Sequence, residues 1–147
     1  MKNLHRLKNL LTKTDQTWLE ISQEQSTVQN MLKYQLLIFA FIPVLCAFLS
    51  DAVIGVEMFN KVHRKPVYSS LVNSFLYYLS IIAFVFLLSF GLKVITIFFE
   101  IKVGFINTFK IINYSIFPVL FFSLFNLIPG ASFLLYFIAI YSVYIFY

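Results

Sequence analysis

Residues 66–92, PVYSSLVNSFLYYLSIIAFVFLLSFGL, decide the fold of this chain, because these 27 residues include no Asp, Glu, Lys, Arg or His. About 20 apolar residues in a helix cross the ~30 Å hydrocarbon core of a bilayer, so this stretch is long enough to span it with some tilt. A second uncharged run, residues 111–147, is 37 residues long. Together the two runs predict an integral membrane protein with several helices.

The composition supports the same class of protein. The chain has 147 residues, of which 61% are hydrophobic and 12% charged, whereas a soluble domain is roughly 45–50% apolar and 25% charged. A water-soluble fold of this length has no way to cover so much apolar surface. The formal net charge of +5 comes from basic residues that flank apolar runs, where they anchor helix ends. The predicted partner is therefore the lipid bilayer, with no nucleic acid.

Four spans are predicted, and the fold class is an all-α polytopic transmembrane helical bundle of one domain. The spans cover residues 31–50, 69–92, 109–128 and 131–147, and residues 94–99, VITIFF, are apolar enough for the second helix to continue past Lys93. Pro43 and Pro118 lie inside the first and third spans, where proline removes a helix hydrogen bond, so both are predicted to kink their helices. Pro129 and Gly130 are predicted to form the turn of a hairpin between the last two spans.

Residues 1–30 are polar and predict a cytoplasmic amphipathic segment. Four leucines recur there at helical spacing, with basic residues between them, which is typical of a helix on the membrane surface; a partly ordered tail is equally compatible. Residues 17–20, TWLE, fit a capping box at a helix start. Four residues are predicted as interfacial anchors at the ends of apolar runs: Trp18, Lys33, Lys93 and Lys110.

The distribution of Lys and Arg predicts the topology. Three (Lys61, Arg64 and Lys65) lie in the connection between the first and second spans. Eight are assigned to the opposite side: five at the N-terminal end (Lys2, Arg6, Lys8, Lys13 and Lys33) and three around the connection between the second and third spans (Lys93, Lys102 and Lys110). The positive-inside rule therefore favours a cytoplasmic N-terminus by eight residues to three. The cluster at 61–65 works against this orientation.

The sequence predicts no enzyme, metal site or cofactor. His5, His63 and Cys46 are not at ligand spacing, and no histidine lies near the serines of the last two spans to act as a base. Asn113 is a polar residue inside the third span, so it must find a partner on a neighbouring helix or on its own backbone. Helix packing is the favoured role for Asn113, and substrate contact is the other.

Two stretches resemble one family. The segment YQLLIFAFIPVLCAFLSDAVIG (34–55) is similar to the first transmembrane helix of bacterial inner-membrane proteins of the YohC type, which belong to the Yip (Ypt/Rab-interacting protein) family. The block FKIINYSIFPVLFFSLFNLIPGASFLLYFIAIYSVY (109–144) resembles that family's most recognisable region, in which Tyr114 and Pro118 stand in a Tyr-x-x-x-Pro pattern. The N-terminal WLEISQEQST (18–27) also resembles the segment before the first helix in such proteins.

The resemblance implies a bundle of usually five helices in a bacterial inner membrane, with a cytoplasmic N-terminus. Since only four spans are visible, a fifth helix is expected beyond Tyr147, and the chain is predicted to be C-terminally truncated. The predicted function is a non-enzymatic membrane scaffold or adaptor that binds other membrane proteins or further copies of itself. The alternative is a small transporter or channel subunit, since proline-broken spans such as these resemble the interrupted helices of transport sites.

Overall fold

The computed structural model describes residue 9 and residues 14–24, 26–58, 61–128 and 133–146. The described chain forms five helices and one short hairpin. The helices are α1 (Thr14–Gln23), α2 (Val28–Ile54), α3 (Val67–Phe98), α4 (Phe105–Phe122, prolonged by the 3-10 turn Ser123–Leu127) and α5 (Leu134–Phe146). The hairpin joins α2 to α3 and consists of β1 (Val56–Met58) paired antiparallel with β2 (Lys61–His63).

Three of these helices are long and apolar enough to cross a membrane. Their mean hydropathies are 2.4 for α2, 2.5 for α3 and 1.5 for α4 including its 3-10 turn. Helix α5 is apolar but shorter. The predicted class, an all-α helical membrane bundle, is confirmed. The helices run past the predicted spans, since α3 continues through Lys93 to Phe98. A helix need not end where the hydrocarbon ends, so the membrane boundaries themselves stay predictions.

Helix α4 lies at the centre of the bundle and packs against α2, α3 and α5. In its most apolar 18-residue stretch, 61% of the residues are buried, compared with 17% in α3. The core is aromatic at α4, where Phe117 packs on Phe39 with ring centroids 3.9 Å apart and Phe109 packs on Phe86 at 5.1 Å. The outer face of α3 is lined by exposed apolar side chains, as expected of a surface that faces lipid.

Helix α2 is not α-helical throughout. It contains two π-helical stretches, Leu32–Leu36 and Ser50–Ile54, on either side of the α-helical stretch Leu37–Leu49. At its far end, Asp51 accepts a hydrogen bond from the Lys65 ammonium at 2.7 Å, which ties α2 to the residues that precede α3. The π turn at Leu32–Leu36 matters for the site, because it contains Gln35, whose side chain bonds to α4.

The predicted local features have different outcomes. Pro43 and Pro118 are buried inside α2 and α4, and both helices continue through them; the kinks stay a prediction. The predicted capping box is wrong, because Thr17 lies inside α1 and not at its start. The predicted turn at Pro129 and Gly130, and the four leucines of the predicted surface helix (Leu4, Leu7, Leu10 and Leu11), lie outside the described residues.

Candidate functional site

A chain of buried polar side chains joins α2 to α4. The Asn113 amide Nδ2 donates to Gln35 Oε1 at 3.0 Å, and Gln35 Nε2 donates to the Tyr114 hydroxyl at 2.8 Å. All three side chains are at least 93% buried, since their exposed fractions are 1%, 7% and 2% for Asn113, Gln35 and Tyr114. Asn113 therefore finds its partner on a neighbouring helix, as the apolar surroundings require.

Gln35 lies in the first π-helical stretch of α2. Gln35 and Leu36 are neighbours in sequence and both are buried, although successive residues of an α-helix point about 100° apart. A π turn holds one extra residue and widens the helix locally, and such turns are frequent at functional sites. In this stretch Gln35 bonds to α4 while Leu36 lies in the apolar core.

The polar chain is not fully satisfied by the protein. Asn113 Oδ1 is buried and has no hydrogen-bond partner among the described residues. A buried acceptor without a partner costs about 1–3 kcal/mol, so Asn113 is retained at a real cost in stability. Among the described residues, the hydroxyls of Ser70, Ser115 and Ser142 are also buried without a partner.

Lys110 holds the N-terminal helix against the bundle. Its side chain is buried on α4, and its ammonium donates to the carbonyl oxygens of Ile21 at 2.9 Å and Glu24 at 2.8 Å. These carbonyls lie at the end of α1, which carries partial negative charge, and the Ile21 carbonyl also accepts from the Glu24 amide at 3.3 Å. Lys110 thus caps α1 from another helix. Its place at a membrane interface stays a prediction, but its ammonium is bound by protein carbonyls.

A small aromatic cluster completes the attachment of α1. Ile21 and Tyr114 are buried together, with Trp18 and Tyr141 packed against them. The Trp18 ring meets the Tyr114 ring edge-on, with centroids 6.4 Å apart and an interplanar angle of 81°. Tyr114 therefore contacts α1 through its ring and α2 through its hydroxyl.

The attached helix, the central α4 and the apolar spans agree with a comparison to known families. The model of the Yip1 domain matches residues 8–147. The chain belongs to the Yip1-domain family. No curated protein and no solved structure gives a significant match.

In this Yip1 domain, the other predicted anchors occupy different settings. Lys33 is exposed, with its ammonium 5.5 Å from the centre of the Tyr34 ring. Lys93 is half-buried inside α3. Trp18 is half-buried against Tyr114. Whether these side chains reach lipid headgroups stays a prediction, as it does for Lys110.

Sequence reasoning missed Gln35 in the Yip1 domain. The signal that pointed to it was its position in an otherwise apolar segment, since Gln35 is followed by fifteen residues without charge or amide. Within the described ranges, no group of three or more His, Cys, Asp or Glu side chains is placed to hold a metal ion. Cys46 is a buried free thiol on α2.

An open cleft of about 790 Å³ lies beside the Lys110 clamp. One wall is the end of α1 with Ser22 and the connection to α2 with Ser26 and Thr27, and the other is the start of α4, with Gly104 and Asn107. The Yip1 domain therefore contains a buried polar chain, the Lys110 clamp on its N-terminal helix and a polar cleft next to that clamp.

Proposed function

We propose that this Yip1-domain chain is a non-enzymatic membrane scaffold or adaptor that presents α1 to a protein partner. The observation that carries this proposal is the Lys110 clamp, with ammonium-to-carbonyl distances of 2.9 and 2.8 Å to Ile21 and Glu24. A helix fixed in this way is pre-organised, so a partner binds it without ordering it first. The chemistry of the clamp serves attachment and provides no nucleophile or base.

The outward side of α1 is the proposed contact surface. Leu19 is 64% exposed, and the polar side chains of Gln16, Glu20 and Gln23 are exposed as well. An exposed leucine among polar side chains, on a helix whose opposite side is held by Lys110, is a suitable anchor for a partner protein. Other membrane proteins and further copies of this chain are both candidates.

The proposed location is a bacterial inner membrane, with the N-terminus in the cytoplasm. The excess of Lys and Arg in the N-terminal segment and in the connection between α3 and α4 supports this orientation. It places α1 and the clamp on the cytoplasmic side, where a soluble partner has access to the surface around Leu19.

Leu19→Glu is expected to weaken partner binding at least tenfold while leaving the fold intact, because Leu19 is mostly exposed and a carboxylate there opposes an apolar contact. The measurement is affinity capture of the tagged protein from detergent-solubilised membranes, with recovered partners quantified by mass spectrometry. Gln29→Glu is the matched control, since it adds the same charge at an exposed position of α2, outside the proposed surface. Equal recovery by both variants, or no partner with the unmodified protein, contradicts the proposal.

A small transporter or channel subunit is the second candidate. The buried chain of Gln35, Asn113 and Tyr114 favours it, because polar side chains inside spans mark solute pathways as well as helix contacts. Purified protein in liposomes is then expected to move a small polar solute or ion, and Asn113→Leu to abolish that flux. Liposomes in which the unmodified protein moves no solute would exclude this candidate.

A further inference from the structure

We propose that the cleft between the end of α1 and the start of α4 binds the phosphate of a phospholipid headgroup. The cleft volume, about 790 Å³, falls within the ~300–1,000 Å³ of small-molecule sites. Ser22, Ser26 and Thr27 line one side. The Thr27 hydroxyl accepts from the Asn30 amide and keeps its own proton to donate, whereas the Ser22 and Ser26 hydroxyls already donate within the protein. Leu19, the anchor of the proposed partner surface, does not line the cleft, although Gln23 at the edge of that surface does.

Lys110 gives the cleft a positive charge whose hydrogen-bonding capacity is only partly filled by the protein. Its side chain is 94% buried and lines the cleft, and two of its three N–H groups bond to carbonyl oxygens. The third has no acceptor, and the ammonium has no ion-pair partner, in the part of the chain that the structure describes. A buried charge is costly unless it is paired, and an anion in the cleft would pair it.

The start of α4 supplies further donors to the same cleft. Gly104 is the N-cap residue and has no side chain to accept from the first amides, and no side chain caps this helix. The amides of Asn107 and Thr108 bond to the Gly104 carbonyl, which leaves the amides of Phe105 and Ile106 at the end that carries partial positive charge. A Cβ placed on Gly104 meets no atom within 4 Å, so the space there is open.

The position of the cleft favours a lipid over free phosphate. The exposed charged residues Glu100 and Lys102 directly precede α4, which places its start at headgroup level. Ile106 lines the cleft and is 45% exposed, so it provides an apolar contact for the first carbons of an acyl chain. Glu24 also lines the cleft, and its negative charge favours a zwitterionic headgroup such as phosphoethanolamine over a multiply charged ion.

Gly104→Asp separates a binding role from a structural one. The backbone of Gly104 (φ −73°, ψ 154°) suits an N-cap aspartate, which accepts from the first amides and favours helix formation. The same carboxylate occupies the anion position and repels phosphate. The variant is therefore expected to melt at the same or a higher temperature than the unmodified protein, while binding phospholipid at least tenfold more weakly. Gly104→Ala is the neutral control.

The probe is dihexanoyl phosphatidylethanolamine, titrated into delipidated protein in detergent and followed by the fluorescence of Trp18, the one tryptophan of the chain. Binding by the unmodified protein and Gly104→Ala, with at least a tenfold loss in Gly104→Asp, supports the proposal. Equal binding by all three proteins overturns it, as does equal binding of dihexanoylglycerol, which has no phosphate. Inorganic phosphate that binds as tightly as the lipid overturns the assignment to a headgroup.

Asn107→Asp keeps the test decisive if Gly104→Asp does not fold. Asn107 is exposed in the first turn of α4 and lines the cleft, where an acidic residue is favourable to the helix but repels an anion. This variant is expected to lose phospholipid binding at least fivefold, with unchanged helix content by circular dichroism. Unchanged lipid affinity in a folded Asn107→Asp protein overturns the proposal.

Discussion

Lys110→Met is expected to release α1 from the membrane helices. The substitution keeps a long apolar side chain but removes both hydrogen bonds from the ammonium to the carbonyls of Ile21 and Glu24. Hydrogen bonds to a charged group contribute about 1.5–3 kcal/mol each, so docking of α1 loses about 3 kcal/mol or more. At 1.4 kcal/mol per factor of ten, the docked-to-undocked ratio falls about 100-fold.

The release of α1 is measured by thiol labelling at position 21. Ile21 is 1% exposed, so in an Ile21→Cys, Cys46→Ser protein the new thiol reacts slowly with a polar maleimide while α1 is docked. Adding Lys110→Met should raise the labelling rate by about two orders of magnitude, in proportion to the undocked population. Lys102→Met is the control, because Lys102 is exposed. Equal labelling rates in the two methionine variants would show that the clamp does not hold α1.

Three substitutions in and around α1 and the cleft distinguish the proposed partner surface from the proposed headgroup site. Leu19→Glu changes the outward surface of α1 and leaves the cleft unchanged, whereas Gly104→Asp changes the cleft and leaves that surface unchanged. Lys110→Met affects both, because Lys110 caps α1 and lines the cleft. Loss of partner binding in Leu19→Glu with retained lipid binding therefore supports the scaffold role alone, and the reverse pattern in Gly104→Asp supports the headgroup site alone.

The helical membrane bundle was predictable from the sequence, because a helix that faces lipid needs a long run of uncharged, apolar residues. A spanning helix must satisfy its own backbone and expose apolar side chains, so runs such as residues 66–92 indicate α3 directly. The helix ends were less predictable. Helix α3 continues to Phe98, since Lys93 breaks the uncharged run without breaking the helix.

The site was less predictable, because its contacts join residues far apart in sequence. Asn113 was predicted to need a partner, but the identity of that partner depends on how α2 lies against α4. Lys110 illustrates the same limit. A lysine at the edge of an apolar run has the same sequence pattern whether its ammonium reaches lipid headgroups or caps another helix. The two cases differ only in tertiary structure, here in the packing of α1 against α4.

Phe117→Ala is expected to cause a large loss of stability in the bundle interior. Phe117 is 2% exposed and lies between Phe39, at 3.9 Å, and Tyr114, at 6.4 Å between ring centroids. Phe→Ala costs ~3–5 kcal/mol in water-soluble cores. In a bilayer the separated helices still lie in an apolar solvent, so the transfer part of that cost is absent and the cavity part remains. The expected loss is therefore about 2–3 kcal/mol.

The loss is measured from unfolding in mixed micelles at increasing dodecyl sulfate, followed by helix content. Phe90→Ala is the matched control, because Phe90 is 63% exposed on α3 and its side chain contacts mainly lipid or detergent. The unfolding midpoint of this variant should equal that of the unmodified protein within experimental error. The cavity beside Tyr114 should also loosen the hydroxyl that accepts from Gln35, so labelling at position 21 should rise in Phe117→Ala as well. Equal midpoints for the two alanine variants would show that α4 is not the packing centre of the bundle.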